Sequence, residues 1–172
     1  MRRLPIYAFA ITLALTAISI PIADAAEPDP ASVAAIKALE ANFIAGVNAN
    51  DPAKIMANYE QSPSLVVFDL LPPRQYTGWN AYKKDWQGVL AGCKGAPTMV
   101  LTELTVEAGA DYGFGHNIQH MMCTGINGEP MDLTVRVTDG YKKIHGKWLI
   151  AHEHVSVPVD LATGKADLNS KP

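Results

Sequence analysis

The spacing of hydrophobic residues changes partway along the chain. Between about residue 30 and residue 92, apolar side chains mostly recur every three or four positions, which is the spacing of amphipathic helices. Two Asp-Pro steps and one Thr-Gly step mark three helix starts, near Pro30, Pro52 and Trp79. The apolar run Leu65-Val66-Val67-Phe68, between the second and third helices, has the composition of a β-strand. The first half is therefore predicted to be mainly helical, with one early strand.

Apolar and polar positions then alternate, and this alternation predicts four strands, at 100–106, 114–123, 131–141 and 148–157. Glycine-containing turn sequences separate these segments. Helices followed by an antiparallel series of strands predict an α+β fold, in which three helices pack across one face of a curved sheet. Such a cone-shaped arrangement can enclose an apolar pocket.

Residues 1–25 have the features of a secretory signal peptide. Arg2-Arg3 gives a basic start, an apolar run covers 6–22, and Ala23-Asp24-Ala25 supplies small residues for cleavage. A membrane anchor is the alternative, but the run is short for a span, contains proline, and is followed by no cluster of charges. The sequence therefore predicts a periplasmic or secreted protein with no membrane association after cleavage.

The composition limits the number of domains and the classes of partner that are expected. A chain of 172 residues, 48% of them hydrophobic, fits one domain, predicted over 26–158, with a polar and loosely ordered tail at 159–172. Its 14 Lys and Arg residues stand against 17 Asp and Glu, and no basic stripe is present, so a nucleic-acid partner is not expected. No second domain is available to supply a cofactor, and none is predicted.

Two cysteines, Cys93 and Cys123, are too few for a disulfide-built scaffold. If the intervening hairpin turns near Ala110-Asp111, Cys123 lies opposite about Thr98, because paired positions in an antiparallel ladder sum to a constant. Cys93 precedes Thr98 by a short glycine-containing loop. A Cys93–Cys123 disulfide is therefore sterically possible, and two free buried thiols are the alternative.

The histidines form two groups on predicted strands. Five side chains of one strand share a face because they alternate along it. They are Phe114, His116, Ile118, His120 and Met122. His152 and His154 share a face of the last strand, and Glu153 points to the opposite side. A metal site needs three or four convergent ligands, so these histidines are interpreted as core, pocket or interface residues, and no metal is predicted.

Two charged residues lie within apolar strands. Asp69 ends a strand between Phe68 and Leu70, where an apolar environment would raise its pKa and suit it to proton transfer; a capping role in the following turn is the alternative. Arg136 lies between two valines. Facing inward, it would require an anionic partner, whereas facing outward it would pair across the sheet, and the pattern leaves both open.

Three segments resemble the SnoaL-like, ketosteroid isomerase-homologue branch of the nuclear transport factor 2-like superfamily. The similarity covers essentially the whole chain after the predicted signal peptide. The segments are Tyr76-Thr77-Gly78 with Tyr82 and Trp86 after it, Arg136-Val137-Thr138, and Gly146-Lys147-Trp148-Leu149-Ile150-Ala151-His152-Glu153-His154-Val155-Ser156-Val157-Pro158. The resemblance implies the cone-shaped, cystatin-like fold, but the superfamily contains enzymes and non-catalytic assembly domains.

The resemblance also implies roles for particular residues. Ketosteroid isomerases use as general base an Asp that ends the first strand before a proline-containing loop, and Asp69 matches it. Their two oxyanion donors correspond most closely to Phe43 and to Val137 or Thr138, so neither donor is kept. His120 or Arg136 is then expected to stabilise developing negative charge.

Comparison with the isomerase pattern places further side chains in the pocket. It turns Glu153 inward, but a slip of one residue would turn His154 inward instead, so both remain candidates. The predicted catalytic residues are Asp69, His120 and Arg136. The predicted ligand-binding residues are Tyr59, Trp79, Trp86, His116, Ile118, Met122, Thr138, Glu153 and His154.

The functional expectation is an exported domain that binds a small hydrophobic molecule in an apolar pocket. It would act as a cofactor-independent isomerase or lyase, with Asp69 moving a proton. The alternative is a non-catalytic domain that binds a ligand or assembles as a dimer. In either case the outer face of the sheet is expected to form a homodimer.

Overall fold

The computed structural model describes residues 29–170, so the predicted signal peptide lies outside the described residues. The three predicted helices are confirmed as α1 (Pro30–Asn48), α2 (Pro52–Met56) and α3 (Trp79–Ala91). Aspartates cap the first two helices. The Asp29 carboxyl accepts a hydrogen bond from the Ala31 amide, and Asp51 accepts from the amides of Ala53 and Lys54. Proline follows each cap, where its missing N–H costs nothing.

Six strands form one sheet in the order β2-β1-β6-β5-β4-β3. All neighbours are antiparallel except β1 and β6, which run parallel. This confirms the α+β arrangement. The strands are β1 (Val66–Phe68), β2 (Tyr76–Thr77), β3 (Thr98–Ala108), β4 (Tyr112–Thr124), β5 (Pro130–Ile144) and β6 (Lys147–Ser156).

The C-terminal segment is more ordered than predicted. It forms a short hairpin of β7 (Val159–Asp160) and β8 (Lys165–Ala166). The Thr134 amide of β5 donates a 2.7 Å hydrogen bond to the Leu168 carbonyl, so the tail continues along β5 beyond the end of β6. Within residues 29–170, no helix is long and apolar enough to cross a membrane.

The helices pack on one face of the sheet, which we call the inner face; the opposite face is the outer face. Ile36 and Phe43 of α1 and Trp86 of α3 belong to the core formed there. Glycines on β4 permit this close packing. A Cβ atom on Gly113 would lie 3.0 Å from Ile36 Cδ1, and one on Gly115 would lie 2.8 Å from a β3 backbone oxygen.

Two β-bulges interrupt the ladders. One lies in β3 between Thr102 and Thr105, and the other in β6, where Ala151 is the extra residue opposite the Gly140/Tyr141 step of β5. Bulges bend a sheet and increase its twist. The β6 bulge also changes which residues face inward, because alternation restarts after Ala151.

The Cys93–Cys123 disulfide is present, which confirms the first of the two alternatives. The two Cα atoms are 5.8 Å apart, and the bond links the loop after α3 to the end of β4. Thr98 pairs with Met122 and not with Cys123, because the β3 bulge shifts the ladder by one residue.

Candidate active site

A cavity of about 570 Å³ lies between α3, the segment after β1 and the inner face of the sheet. Most of its wall is apolar and includes Leu71, Trp86, Val89, Met121, Leu133 and Val155. Its polar lining residues are Asp69, Tyr76, Tyr82, Lys84, Asp85, Gln119 and Glu153. An apolar cavity with a few convergent polar groups is the usual form of a small-molecule site.

Asp69 lines this cavity where the chain leaves β1. One carboxylate oxygen accepts a 2.5 Å hydrogen bond from the Leu70 amide, and the other lies 3.0 Å from the Tyr82 hydroxyl. Burial raises the pKa of Asp69, and the hydrogen bonds from Leu70 and Tyr82 oppose that rise. The side chain is therefore anchored, and its carboxyl is suited to accept or release a proton.

Glu153 also lines the cavity, and it is almost fully buried. The Tyr82 hydroxyl lies 2.6 Å from its Oε1 atom, and the Tyr59 hydroxyl donates to Oε2 over 2.7 Å. Burial raises the pKa of Glu153 to about 7 despite both hydrogen bonds. Tyr82 thus contacts both cavity acids.

Two more acids lie behind Glu153. Asp139 is its ladder partner on β5, and neither carboxylate oxygen of Asp139 has a hydrogen-bond partner among the described residues. Glu40 of α1 accepts a 2.8 Å hydrogen bond from the Tyr141 hydroxyl. Burial raises the pKa of Glu40 to about 7. Burial, together with the nearby Glu153 and Glu40 carboxyls, raises the pKa of Asp139 well above its usual value. We call Glu40, Asp139 and Glu153 the inner acid cluster.

Two predicted catalytic residues are not in this site. His120 projects from the outer face, where its Nε2 atom lies 2.7 Å from the Asp132 carboxylate, and both side chains are substantially exposed. Arg136 also belongs to the outer face, since the inner positions of β5 are Val135 and Val137. The prediction that either residue acts in the pocket with Asp69 is wrong.

The same reversal applies to several predicted ligand-binding residues. His116, Ile118 and Met122 of β4, Thr138 of β5 and His154 of β6 all lie on the outer face. The inner face of β4 has Gly113 and Gly115 where α1 and Tyr141 pack closely against it, and it continues with Asn117, Gln119 and Met121. The pattern of apolar residues on β4 therefore marks its exposed side.

The remaining predicted residues lie at or beside the cavity. Trp86 and Glu153 line it. Tyr59 is buried behind the lining, where it donates a hydrogen bond to Glu153 and packs edge-on against the Tyr82 ring. Trp79 is not part of the lining, and its indole N–H donates a 2.9 Å hydrogen bond to the Met56 carbonyl.

Sequence reasoning missed most of the polar residues of this region, which are Tyr76, Tyr82, Lys84, Asp85 and Gln119 in the lining and Glu40, Asp139 and Tyr141 behind it. The sequence pattern could have predicted that two of them, Glu40 and Asp139, face inward. Glu40 falls on the apolar stripe of α1 with Ile36 and Phe43, and Asp139 continues the alternation of Val135 and Val137. In the described part of the chain, no three His, Cys, Asp or Glu side chains are arranged to hold a metal ion.

Comparison with known proteins agrees with this architecture. The SnoaL-like domain family matches residues 36–160, and the chain belongs to this family. Its resemblance to the nuclear transport factor 2-like superfamily and its cone-shaped, cystatin-like fold are thereby established. None of the curated proteins matches the chain.

Several solved structures are similar. An NTF2-like protein of unknown function from Pseudomonas putida KT2440 is 30% identical, with a TM-score of 0.75, over 84% of this chain and 99% of that one. A nuclear transport factor 2 superfamily protein from Salmonella enterica is 18% identical, with a TM-score of 0.69, over 80% and 99%. A proposed scytalone dehydratase from Novosphingobium aromaticivorans is 14% identical, with a TM-score of 0.66, over 75% and 85%.

Proposed function

We propose that this protein binds a small, mainly apolar molecule in the cavity and that Asp69 transfers a proton to or from it, as an isomerase or lyase does. The observation that carries the proposal is the position of Asp69, a hydrogen-bonded carboxyl with a raised pKa in the wall of an apolar cavity. The description of a similar structure as a proposed dehydratase is compatible with this class of chemistry.

The proposed step needs only the side chains present. The Asp69 carboxylate takes a proton from a carbon next to a carbonyl group, and the electrons of the broken C–H bond move onto the carbonyl oxygen. Asp69 then returns the proton to another carbon, which is isomerisation, or a leaving group departs, which is elimination. Gln119 is the candidate donor to that oxygen, because it lines the cavity and is buried.

A non-catalytic binding domain is the second candidate. The absence of an oxyanion donor at Phe43 supports it, since this side chain lines the cavity and can donate no hydrogen bond.

Both candidates predict binding, so the test must separate binding from turnover. Neutral apolar ketones, incubated with wild type and Asp69→Asn, would be followed by native mass spectrometry for binding and by chromatography for products. Catalysis predicts binding by both proteins and turnover by wild type alone; binding without turnover by either would favour the second candidate.

Export and dimerisation complete the proposal. Export to the periplasm or outside the cell is supported by the Cys93–Cys123 disulfide, because disulfides persist in oxidising compartments. A homodimer through the outer face is supported by apolar side chains exposed there, including Val100 and Phe114, which are 45% and 49% exposed.

A further inference from the structure

The Tyr82 hydroxyl lies between two carboxyl groups but carries only one hydrogen. It is 3.0 Å from Asp69 Oδ2 and 2.6 Å from Glu153 Oε1, and both distances are those of hydrogen bonds. A phenol donates one hydrogen bond and accepts others. Tyr82 can therefore donate to only one of these carboxyls at a time, and the second contact requires the other carboxyl to be protonated and to donate to the phenol oxygen.

Two proton arrangements satisfy both contacts. In the first, Asp69 is protonated and donates to Tyr82, which donates to ionised Glu153. In the second, Tyr82 donates to ionised Asp69, and protonated Glu153 donates to Tyr82. Each arrangement holds one proton in addition to the phenol hydrogen, and each leaves Glu153 Oε2 free to accept from Tyr59.

We infer that Tyr82 is a two-way proton relay, through which the buried Glu153 takes the proton of Asp69 and returns it. In the forward direction the Asp69 O–H bond breaks and a new O–H bond forms on Tyr82. The original phenol O–H bond breaks at the same time, and its hydrogen forms the O–H bond on Glu153. One negative charge moves from Glu153 to Asp69, and nothing is oxidised or reduced.

The surroundings of the three groups favour this exchange. Tyr82 and Glu153 are 1% and 3% exposed, so bulk water is kept away from the phenol and does not compete for its hydrogen. The edge-on packing of the Tyr82 ring against Tyr59 and Trp86 fixes the hydroxyl between the two acids. Burial keeps the pKa of Tyr82 well above its usual value, so the phenol remains neutral between transfers.

The relay rests on the proposed function, because it prepares Asp69 to act as the base. Asp69 becomes a carboxylate by passing its proton inward, with no need to release it to solvent through an apolar cavity. Glu153 touches Asp69 only through Tyr82, so it is a positioning residue whose charge state sets that of Asp69.

The test needs no ligand and uses the intact protein. Carbon-13 NMR titration would give the pKa of Asp69 in wild type, Glu153→Gln, Tyr82→Phe and the double variant. The relay predicts that Glu153→Gln lowers the pKa of Asp69 by about one unit, because Tyr82 is then committed to Asp69. In the Tyr82→Phe background the same substitution should produce less than half of that shift.

Tyr59→Phe is the matched control, since it removes the other phenol on Glu153 but leaves Tyr82 in place. In that background the effect of Glu153→Gln should be as large as in wild type. Equal shifts with and without the Tyr82 hydroxyl would show that the two acids interact by charge alone and would overturn the relay. Because the titration is made without ligand, a failure of the relay is distinguishable from a failure of the proposed enzymatic function.

Discussion

Asp139 and Glu153 lie opposite each other on β5 and β6, and both are buried, with 1% and 3% of each residue exposed. Two neighbouring carboxyls in an apolar interior oppose each other's ionisation. The pKa of both is accordingly raised, first by burial and then, for Asp139, by the charge of Glu153. The inner acid cluster thus holds protons that the unfolded chain would release.

This retention of protons predicts that stability falls as pH rises. The pKa of Glu153 and that of Glu40 are raised from 4.5 to about 7, so their stabilising protonation is complete below 4.5 and is lost as pH rises through 7. We expect the free energy of unfolding, measured with urea, to be lower at about pH 8 than at about pH 5 by roughly 5 kcal/mol for the two groups together.

Glu153→Gln should reduce that pH dependence, because the amide does not titrate, whereas Glu129→Gln, at an exposed position, should leave it unchanged. Stability that is constant or rises between about pH 5 and pH 8 would contradict the account of the inner acid cluster.

The order of elements could be predicted from the sequence, but the faces of β4, β5 and β6 could not. Helix starts at Pro30 and Pro52 follow from Asp-Pro caps, which act locally. The inner face of β4 was misassigned because its outer face carries Phe114 and Ile118, and an apolar stripe on a strand has the same sequence pattern whether it faces the core or not.

The orientation of Glu153 depended on a feature that the sequence does not display. Simple alternation from Trp148 and Ile150 would place His152 and His154 on the inner face. The extra residue Ala151 restarts the alternation and turns Glu153 inward. The position of Asp69 in the pocket could be predicted from the family resemblance. Its contact with Tyr82 could not, because that contact depends on how α3 packs against the sheet.

The disulfide should contribute substantially to stability. It joins residues separated by 30 positions, and closing a loop of that length in the unfolded chain corresponds to about 3.6 kcal/mol. Cys93→Ser with Cys123→Ser should lower the free energy of unfolding by about that amount. Reductant should destabilise wild type similarly and have no effect on the double variant. A double variant as stable as the oxidised wild type would contradict a structural role for the bond.

A substitution at Gly88 should block the cavity without altering its acids. Gly88 lies on α3 in the cavity lining, and an added Cβ atom there would meet nothing within 4 Å. We expect Gly88→Trp to reduce the affinity for the neutral fluorescent probe N-phenyl-1-naphthylamine by about tenfold or more. Gly88→Ala adds one methyl group and should bind the probe as wild type does. Equal binding by all three proteins would place the probe outside this cavity.

The outer face provides the prediction for oligomeric state. Phe114 is 49% exposed on β4, and a charge there would be buried unpaired in a dimer formed through the sheet. Analytical ultracentrifugation should show a dimer for wild type and a monomer for Phe114→Glu. Leu161→Glu, at a 95% exposed position in the C-terminal segment, should remain dimeric. A monomeric wild type would refute the proposed dimer.

Proton abstraction at Asp69 can be measured directly, before any product is identified. Small neutral ketones that bind the protein would be incubated with it in deuterated water, and proton NMR would follow exchange of the hydrogens next to the carbonyl group. We predict that wild type accelerates this exchange and that Asp69→Asn, with binding retained, reduces the rate by about 100-fold or more. Equal rates for wild type and Asp69→Asn on a ligand that both bind would contradict the role of Asp69 in proton transfer.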